Sequence, residues 1–295
     1  MPDKMKEPSQ GMDVSENKTA SPQQAQTPSP RDDFKYDTRP RYKLVVGYDG
    51  TDFAGWQKQE PPNRPPLRTA AGVLEAALAR VMKQKITLVG ASRTDSGVHA
   101  IGQVAHFNAE TRIPPRRMAH AINTRLPSDI QIYSVAQVDK KFHAIGDALR
   151  KQYRYRIYGQ RKQNPLFERH FVWHYFHALD LEKMQEAANH FIGTHDFEGF
   201  SAASHGRKTT VRTILNCQVI RVGLETQVIV QGTGFLYNMV RIIVGTLAEI
   251  GRGRYGPERI DEILATQDRT RAGITAKASG LCLEWIVHKG GDPLP

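Results

Sequence analysis

The order of hydrophobic patterns along the chain is the feature that most constrains its fold. Between residues 41 and 138, a strand-like segment, an amphipathic helix, two further strand-like segments, a helix and an alternating strand follow one another. From residue 151 the same β-α-β-β-α-β order returns, although no letters repeat. Two tandem split β-α-β units, of the ferredoxin-like or RRM-like kind, account for this order. The sequence therefore predicts an α+β fold whose two halves join into a mixed, mostly antiparallel central sheet.

The individual segments differ in how they are bounded. The predicted strands of the first half are RYKLVVGYDG, KITLVG, GQVAHF and DIQIYSVAQV, with one helix from about Thr69 and another over PPRRMAHAINTRL. In the second half the predicted strands are KQYRYRIY, TTVRTILNCQVIRV, TQVIVQG and LCLEWIV. Asp180 is expected to cap a helix that stops at Gly193, an apolar helix is expected over 235–250, and Pro257 is expected to begin a short one.

Composition separates the ends of the chain from its body. Residues 1–40 are rich in Pro, Gln, Ser and charge, which predicts a disordered tail. We expect an N-terminal α+β subdomain over 41–150, a C-terminal one over 151–290 and a flexible end over 291–295. No apolar run is long enough to cross a membrane and no secretory signal is present, so a soluble, cytoplasmic protein is predicted. The two cysteines form no C-x-x-C pair, which argues against a disulfide framework or a zinc site.

The charge of the chain favours a polyanionic partner. The formal net charge is +11, and the first 40 residues, with six basic and seven acidic side chains, contribute none of it. Arg154 and Arg156 alternate with aromatic residues on one predicted strand, while Arg207 and Lys208 lie in a predicted loop. Together they indicate a groove for nucleic acid, although for any one of them an ordinary solvated surface is the alternative.

Chemistry is expected in the stretch GASRTDSGVHA, residues 90–100. Asp95 is its strongest candidate for a nucleophile or base, because Arg93 lies two residues away and could keep a partly buried carboxylate ionised. The alternative is an Asp that only closes a turn. A hydrolase elbow would need glycine where Thr94 stands, and Asp95 with His99 supplies only two ligands for a metal.

The same stretch resembles the central motif of the TruA family, the tRNA pseudouridine(38-40) synthases. The resemblance extends over most of 41–287 through six motifs in order: YDGTDFAGWQKQ, GASRTDSGVHA, GQVAHF, KQYRYRIY, GTGFLYNMVRIIVGTLAEIG and ASGLCL. It implies the pseudouridine synthase fold, a tRNA substrate bound through its anticodon stem-loop, modification of uridines 38, 39 and 40, and a homodimer.

The resemblance also implies a role for each matching residue. Asp95 would be the nucleophile, Arg241 its ion-pair partner, Tyr153 the ring that stacks on the target uracil, Leu281 an apolar neighbour of the base, and Arg93 a contact of the flipped base or its phosphate. The reaction detaches uracil at its C1′–N1 bond and rejoins it through C5, so no cofactor or metal is expected. Attack by the carboxylate on C1′ or on the uracil ring is equally compatible with these residue types.

Four positions depart from the family's pattern. Ser92 and Ser96 stand where glycine and alanine are common, Ala71 replaces a frequent glutamine, and Ile145 stands where arginine is common. These departures bear on substrate range more than on catalysis. Two other functions are kept as alternatives: a non-catalytic RNA-binding protein on the same scaffold, and a hydrolase that uses Ser92 or a metal.

Overall fold

The computed structural model describes residues 37–62, 65–159, 165–202 and 209–291. Most of the tail that was predicted to be disordered, residues 1–36, lies outside these ranges, as do 292–295 at the other end. Arg207 and Lys208 also lie outside the described residues. The described residues form one compact unit, and the predicted division into subdomains at residue 150 stays a prediction.

The first half follows the predicted β-α-β-β-α-β order. Its elements are β1 (Arg41–Tyr48), α1 (Ala70–Met82), β2 (Val89–Gly90), β3 (His99–Asn108), α2 (Pro115–Asn123) and β4 (Ile130–Val138). Strand β1 pairs antiparallel with both β3 and β4, and β2 pairs antiparallel with β3. The first helix begins where Thr69 accepts a hydrogen bond from the Gly72 amide, as expected for an N-cap.

The second half repeats this arrangement with two additional short strands. Its elements are β5 (Ala148–Gly159), β6 (Trp173–Tyr175), α3 (Leu181–Asn189), β7 (Gly193–Asp196), β8 (Val211–Val222), β9 (Glu225–Gly232), α4 (Met239–Gly251), α5 (Arg259–Thr266) and β10 (Leu281–His288). The sheet runs β4-β1-β3-β10-β5-β9-β8-β7, with β2 beside β3 and β6 beside β5. Only the β10–β3 and β5–β6 pairings are parallel among those of the described residues. The mixed, mostly antiparallel sheet is therefore confirmed.

The two halves meet because β2 is short. It occupies the edge of β3 only at Ala105 and His106, which leaves the start of that edge free. Strand β10 fills it, with Cys282 opposite His99 and Leu283 opposite Ala100. On its other edge β10 pairs antiparallel with β5. The loop between β2 and β3 thus lies beside the junction of the halves.

Two predicted segments differ from the structure, and two short strands were not predicted. The strand KITLVG is reduced to Val89–Gly90, because the amide of Leu88 donates to the Glu75 carboxylate at 2.8 Å instead of a strand partner. Helix α4 begins four residues later than predicted, because Asn238 adopts a left-handed conformation with φ 59°. Strands β6 and β7 were not predicted, since three and four residues are too few to show a period.

Candidate active site

The loop from Ala91 to Val98 carries Asp95 and is held against the segment that follows β1. The Trp56 amide donates to the Thr94 carbonyl at 3.1 Å, and the Val98 amide donates to the Asp95 carbonyl at 3.1 Å. Gly55 has φ 90°, and a Cβ there would lie 2.7 Å from the Thr94 carbonyl oxygen. Only glycine meets both demands without strain. The motif YDGTDFAGWQKQ therefore supports the Asp95 loop from behind.

His99 is a structural member of this region. Its Nδ1 accepts from the Gly50 amide at 2.9 Å, so the proton resides on Nε2, which donates to the His170 carbonyl at 2.9 Å. Burial is the main reason why the pKa of His99 lies below its ordinary value. Both ring nitrogens are engaged with the protein, which leaves no lone pair for a metal ion. The alternative of a metal at Asp95 and His99 is not supported.

Asp95 meets Arg241 across 146 positions of sequence. Arg241 Nη1 lies 3.4 Å from Asp95 Oδ2, and the two side chains are 17% and 19% exposed. Every residue of α4 except Arg241 is buried, so the helix is fixed in the core and presents this one guanidinium at the site. Burial raises the pKa of the Asp95 carboxyl, and Arg241 opposes that rise through charge and hydrogen bonding. The site thus holds a shielded carboxylate beside a fixed positive charge.

The Arg241 side chain is itself oriented by two protein acceptors. Nε donates to the Ala276 carbonyl at 2.7 Å, and Nη1 donates to Asn238 Oδ1 at 2.7 Å. Asn238 therefore precedes the first turn of α4 and also accepts a hydrogen bond from Arg241 of that helix. By contrast, Arg93 is exposed and makes no ion pair with Asp95. The sequence argument that Arg93 keeps Asp95 ionised is wrong, because Arg241 occupies that place.

Tyr153 lies on the same side of β5 as the Asp95 loop. Its side chain is buried, and its hydroxyl is 2.9 Å from Ser92 Oγ. The ring meets Phe235 edge to face, with centroids 5.2 Å apart. Burial, with a further contribution from the negative charge of Asp95, raises the phenol pKa well above its ordinary value. Tyr153 is therefore a neutral phenol at physiological pH.

Leu281 is the first residue of β10, the strand that pairs with the Tyr153 strand β5. In the β10–β5 register Leu283 is opposite Tyr153 and Leu281 is opposite Tyr155. Leu281 is buried. The structure therefore brings Asp95 into contact with Arg241 and joins Tyr153 to the Asp95 loop through Ser92, while Leu281 lies on the neighbouring strand.

The two arginines of β5 point to the opposite face of the sheet. Arg154 donates to Glu284 at 2.6 Å and to Gln227 at 2.6 Å, and Arg156 forms two hydrogen bonds to Glu225. A cavity of about 410 Å³ on that face is lined by both arginines but not by Asp95. Intramolecular partners thus neutralise the charges that the sequence assigned to RNA contact.

Sequence reasoning missed the residue that anchors the Asp95 loop. Gln103 is fully buried on β3. Its side-chain Nε2 donates to the Ser92 carbonyl at 2.7 Å, and its Oε1 accepts from the Ser92 amide at 3.2 Å. A glutamine inside the apolar run GQVAHF is the signal that pointed to it, since a buried amide requires partners.

The family model for tRNA pseudouridine synthase matches residues 44–145 and 187–287, which contain all the residues of this site except Tyr153. The chain belongs to the tRNA pseudouridine synthase family. Proteins called tRNA pseudouridine synthase A are similar to it over nearly their whole length. The one from Acetivibrio thermocellus is 45% identical over 246 residues, which are 83% of this chain and 98% of that protein. Those from Geotalea uraniireducens and Brevibacillus brevis are each 43% identical, over 83% and 84% of this chain and 98% and 99% of theirs.

This tRNA pseudouridine synthase is accordingly an isomerase that acts on uridines of tRNA, and the resemblance to the TruA family is confirmed. The α+β pseudouridine synthase fold is likewise confirmed. The alternatives of a hydrolase and of a non-catalytic RNA-binding protein are set aside. None of the helices in the described ranges has the length and apolar character that a membrane span requires.

Proposed function

We propose that this synthase isomerises uridines 38, 39 and 40 in the anticodon stem-loop of tRNA, with Asp95 as the nucleophile. The contact between Asp95 and Arg241 is the observation that carries the proposal. An arginine fixed by a buried helix and two acceptors stabilises the ionised form of a largely buried carboxylate. A carboxylate held ionised in a partly dry site is suited to nucleophilic attack.

The other residues of the site are assigned to the base. Tyr153 stacks on the extruded uracil, Leu281 supports the base as an apolar neighbour, and exposed Arg93 contacts the base or its phosphate. Extrusion costs a few kcal/mol of stacking, which such contacts offset. The C1′–N1 bond breaks, the uracil turns, and a C5–C1′ bond forms; C5 loses its proton and N1 gains one. Atoms balance without a cofactor, a metal or a co-substrate.

The basic body of the chain supports a polyanionic substrate, since the net charge is +11. The proposal includes a homodimer in which one tRNA contacts both subunits. It also includes a cytoplasmic location, which two cysteines that are not bonded to each other support. Arg154 and Arg156 have only a secondary part in RNA binding, because carboxylates already pair with both.

The test uses tRNA labelled with tritium at C5 of uridine, because C5 loses its hydrogen in the reaction. Asp95→Asn is expected to release no tritium while it retains tRNA affinity in a filter-binding assay. Asp52→Asn is the matched control, since Asp52 is an exposed aspartate outside the site. Undiminished release by Asp95→Asn would refute the assigned nucleophile.

Target position is tested separately with tRNAs in which U38, U39 or U40 is replaced by cytidine. If tritium release is lost only when every uridine present at positions 38, 39 and 40 is replaced, the assignment to the anticodon arm is supported. Release that persists with all three replaced contradicts the assigned positions and leaves the role of Asp95 standing. Sedimentation of the protein as a monomer at assay concentration would contradict the homodimer.

A further inference from the structure

The hydrogen bond between Ser92 and Tyr153 joins the Asp95 loop to strand β5. We infer that Ser92 is a positioning residue, which holds the Tyr153 ring in place for the target base. This inference rests on the proposed function, in which Tyr153 contacts the uracil. It concerns a position where glycine is common in the family, and glycine has no hydroxyl to form the bond.

The backbone on the Ser92 side of the bond is fixed at four consecutive groups. The Ala91 amide donates to the Val104 carbonyl at 2.7 Å, and the Ala91 carbonyl accepts from Lys151 Nζ at 2.7 Å. The Ser92 amide and carbonyl are both bonded to the Gln103 side chain. Since the backbone is held on both sides of its Cα, the Ser92 side chain starts from a defined point.

The Tyr153 side has no other polar anchor. Among the hydrogen bonds of the described residues, the phenol takes part only in the one to Ser92 Oγ, at 2.9 Å. The residue is 5% exposed, and its ring meets the Phe235 ring edge to face. A buried hydroxyl without a partner costs more than one that keeps its bond. Ser92 is therefore the group that satisfies the phenol and fixes its position.

Lys151 and Tyr153 each form a hydrogen bond to the Asp95 loop, so two bonds join this loop to β5. The two residues are spaced by two on β5, so they share a face of the strand. Lys151 bonds the carbonyl of Ala91, and Tyr153 bonds the hydroxyl of the next residue. The strand that carries the stacking ring is thus registered directly against the loop that carries Asp95, three residues beyond Ser92.

The two single substitutions leave different groups without a hydrogen-bond partner. Ser92→Ala leaves a buried phenol unpaired, whereas Tyr153→Phe leaves a half-exposed serine that water can satisfy. We expect Ser92→Ala to lower kcat by roughly three- to tenfold, the worth of one neutral hydrogen bond. KM for tRNA should change by less than about twofold, since the Ser92 hydroxyl bonds Tyr153 rather than the RNA.

A double-mutant cycle tests the inference with the tritium-release assay. Ser92→Ala, Tyr153→Phe and the double variant are expected to share one level of kcat, because all three lack the same bond. The melting temperature should fall in Ser92→Ala and recover in part in the double variant. Ser134→Ala, which removes the hydroxyl of an exposed serine on edge strand β4, is the control.

Three results would overturn the inference: a Ser92→Ala kcat equal to that of the parent, additive losses in the double variant, or a melting temperature that falls further in it. Failure of the proposed function shows differently. Tyr153→Leu removes the stacking ring, and a parental kcat in that variant would contradict the contact of Tyr153 with the base. An impaired Tyr153→Leu beside an unimpaired Ser92→Ala would overturn only the role of Ser92.

Discussion

A methyl group at Gly245 is predicted to disturb the active site from behind. Gly245 lies one turn beyond Arg241 on α4, and the segment around Ile274 crosses the helix there. A Cβ at Gly245 would overlap the Ile274 carbonyl oxygen and lie 2.9 Å from its carbonyl carbon. Because non-bonded carbons pack at about 3.5–4.0 Å, relief of the contact with the carbonyl carbon alone requires the segment to move by about 1 Å. Ala276, on the same segment, bonds both the carbonyl and the Nε of Arg241.

Two opposing terms set the size of the effect of Gly245→Ala. Alanine is favoured over glycine inside a helix by about 1 kcal/mol. Overpacking against fixed backbone costs about 3 kcal/mol at the upper end of its usual range, so the free energy of unfolding should fall by about 2 kcal/mol. Displacement of Arg241 by about 1 Å should lower kcat on the order of tenfold to a hundredfold.

Urea denaturation followed by circular dichroism measures the first effect, and tritium release measures the second. Gly146→Ala is the matched control, because the nearest atom to a Cβ there, in His143, is 3.7 Å away. We expect parental kcat and no loss of stability in that variant. A Gly245→Ala protein with unchanged or raised stability would refute the argument that backbone overlap outweighs helix propensity.

Four further predictions concern charge. In Arg241→Met, the pKa of Asp95 should rise further, so the acidic limb of the kcat/KM profile should move to higher pH; an unmoved limb would contradict the ion pair. Burial lowers the pKa of His106 from 6.5 to about 3, so only the unfolded chain binds a proton between these values. Stability should therefore fall by about 1.4 kcal/mol per pH unit as pH drops below 6.5, measured as urea midpoints at pH 7 and 5, and equal midpoints would exclude it. Arg154→Ala should cost about 1–3 kcal/mol of stability, because the largely buried Glu284 carboxylate loses its cationic partner and keeps only the neutral hydrogen bond from Gln152. Arg93→Ala should lower kcat/KM with an unchanged melting temperature. A lowered melting temperature with parental kcat/KM in Arg93→Ala, or a lowered kcat/KM with parental stability in Arg154→Ala, would overturn these assignments.

Long periodic segments were predictable from sequence, and short or irregular ones were not. The alternation in KQYRYRIY separates the aromatic residues from Arg154 and Arg156, and the structure has Tyr153 buried and Arg154 on the other face of the strand. The strand expected over KITLVG fails because a side chain, Glu75, captures the Leu88 amide, and no local pattern encodes that capture. Helix α4 begins later in the structure than predicted because Asn238 adopts a left-handed conformation, which the spacing of apolar residues does not indicate.

The active site was predictable as residue types and only partly as geometry. An arginine on an otherwise buried helix required a carboxylate partner, and the motifs named Asp95. The bond of Ser92 to Tyr153 and the clamp of Gln103 on Ser92 were not predicted. They join a loop residue to strand residues 61 and 11 positions away, and such pairs are not encoded in a local pattern.

The last strand of the described chain is also the centre of its sheet. During synthesis, β1, β3 and β5 leave the ribosome long before β10, yet in the sheet of the described residues β3 and β5 do not pair with each other and β10 lies between them. Pairing over such a separation closes late and slowly, because chain entropy must be lost before the contacts form. Asp95 and Arg241 therefore belong to two halves whose shared sheet is continuous only once residues 281–288 are in place. Chains that end before residue 281 are therefore expected to be inactive on tRNA.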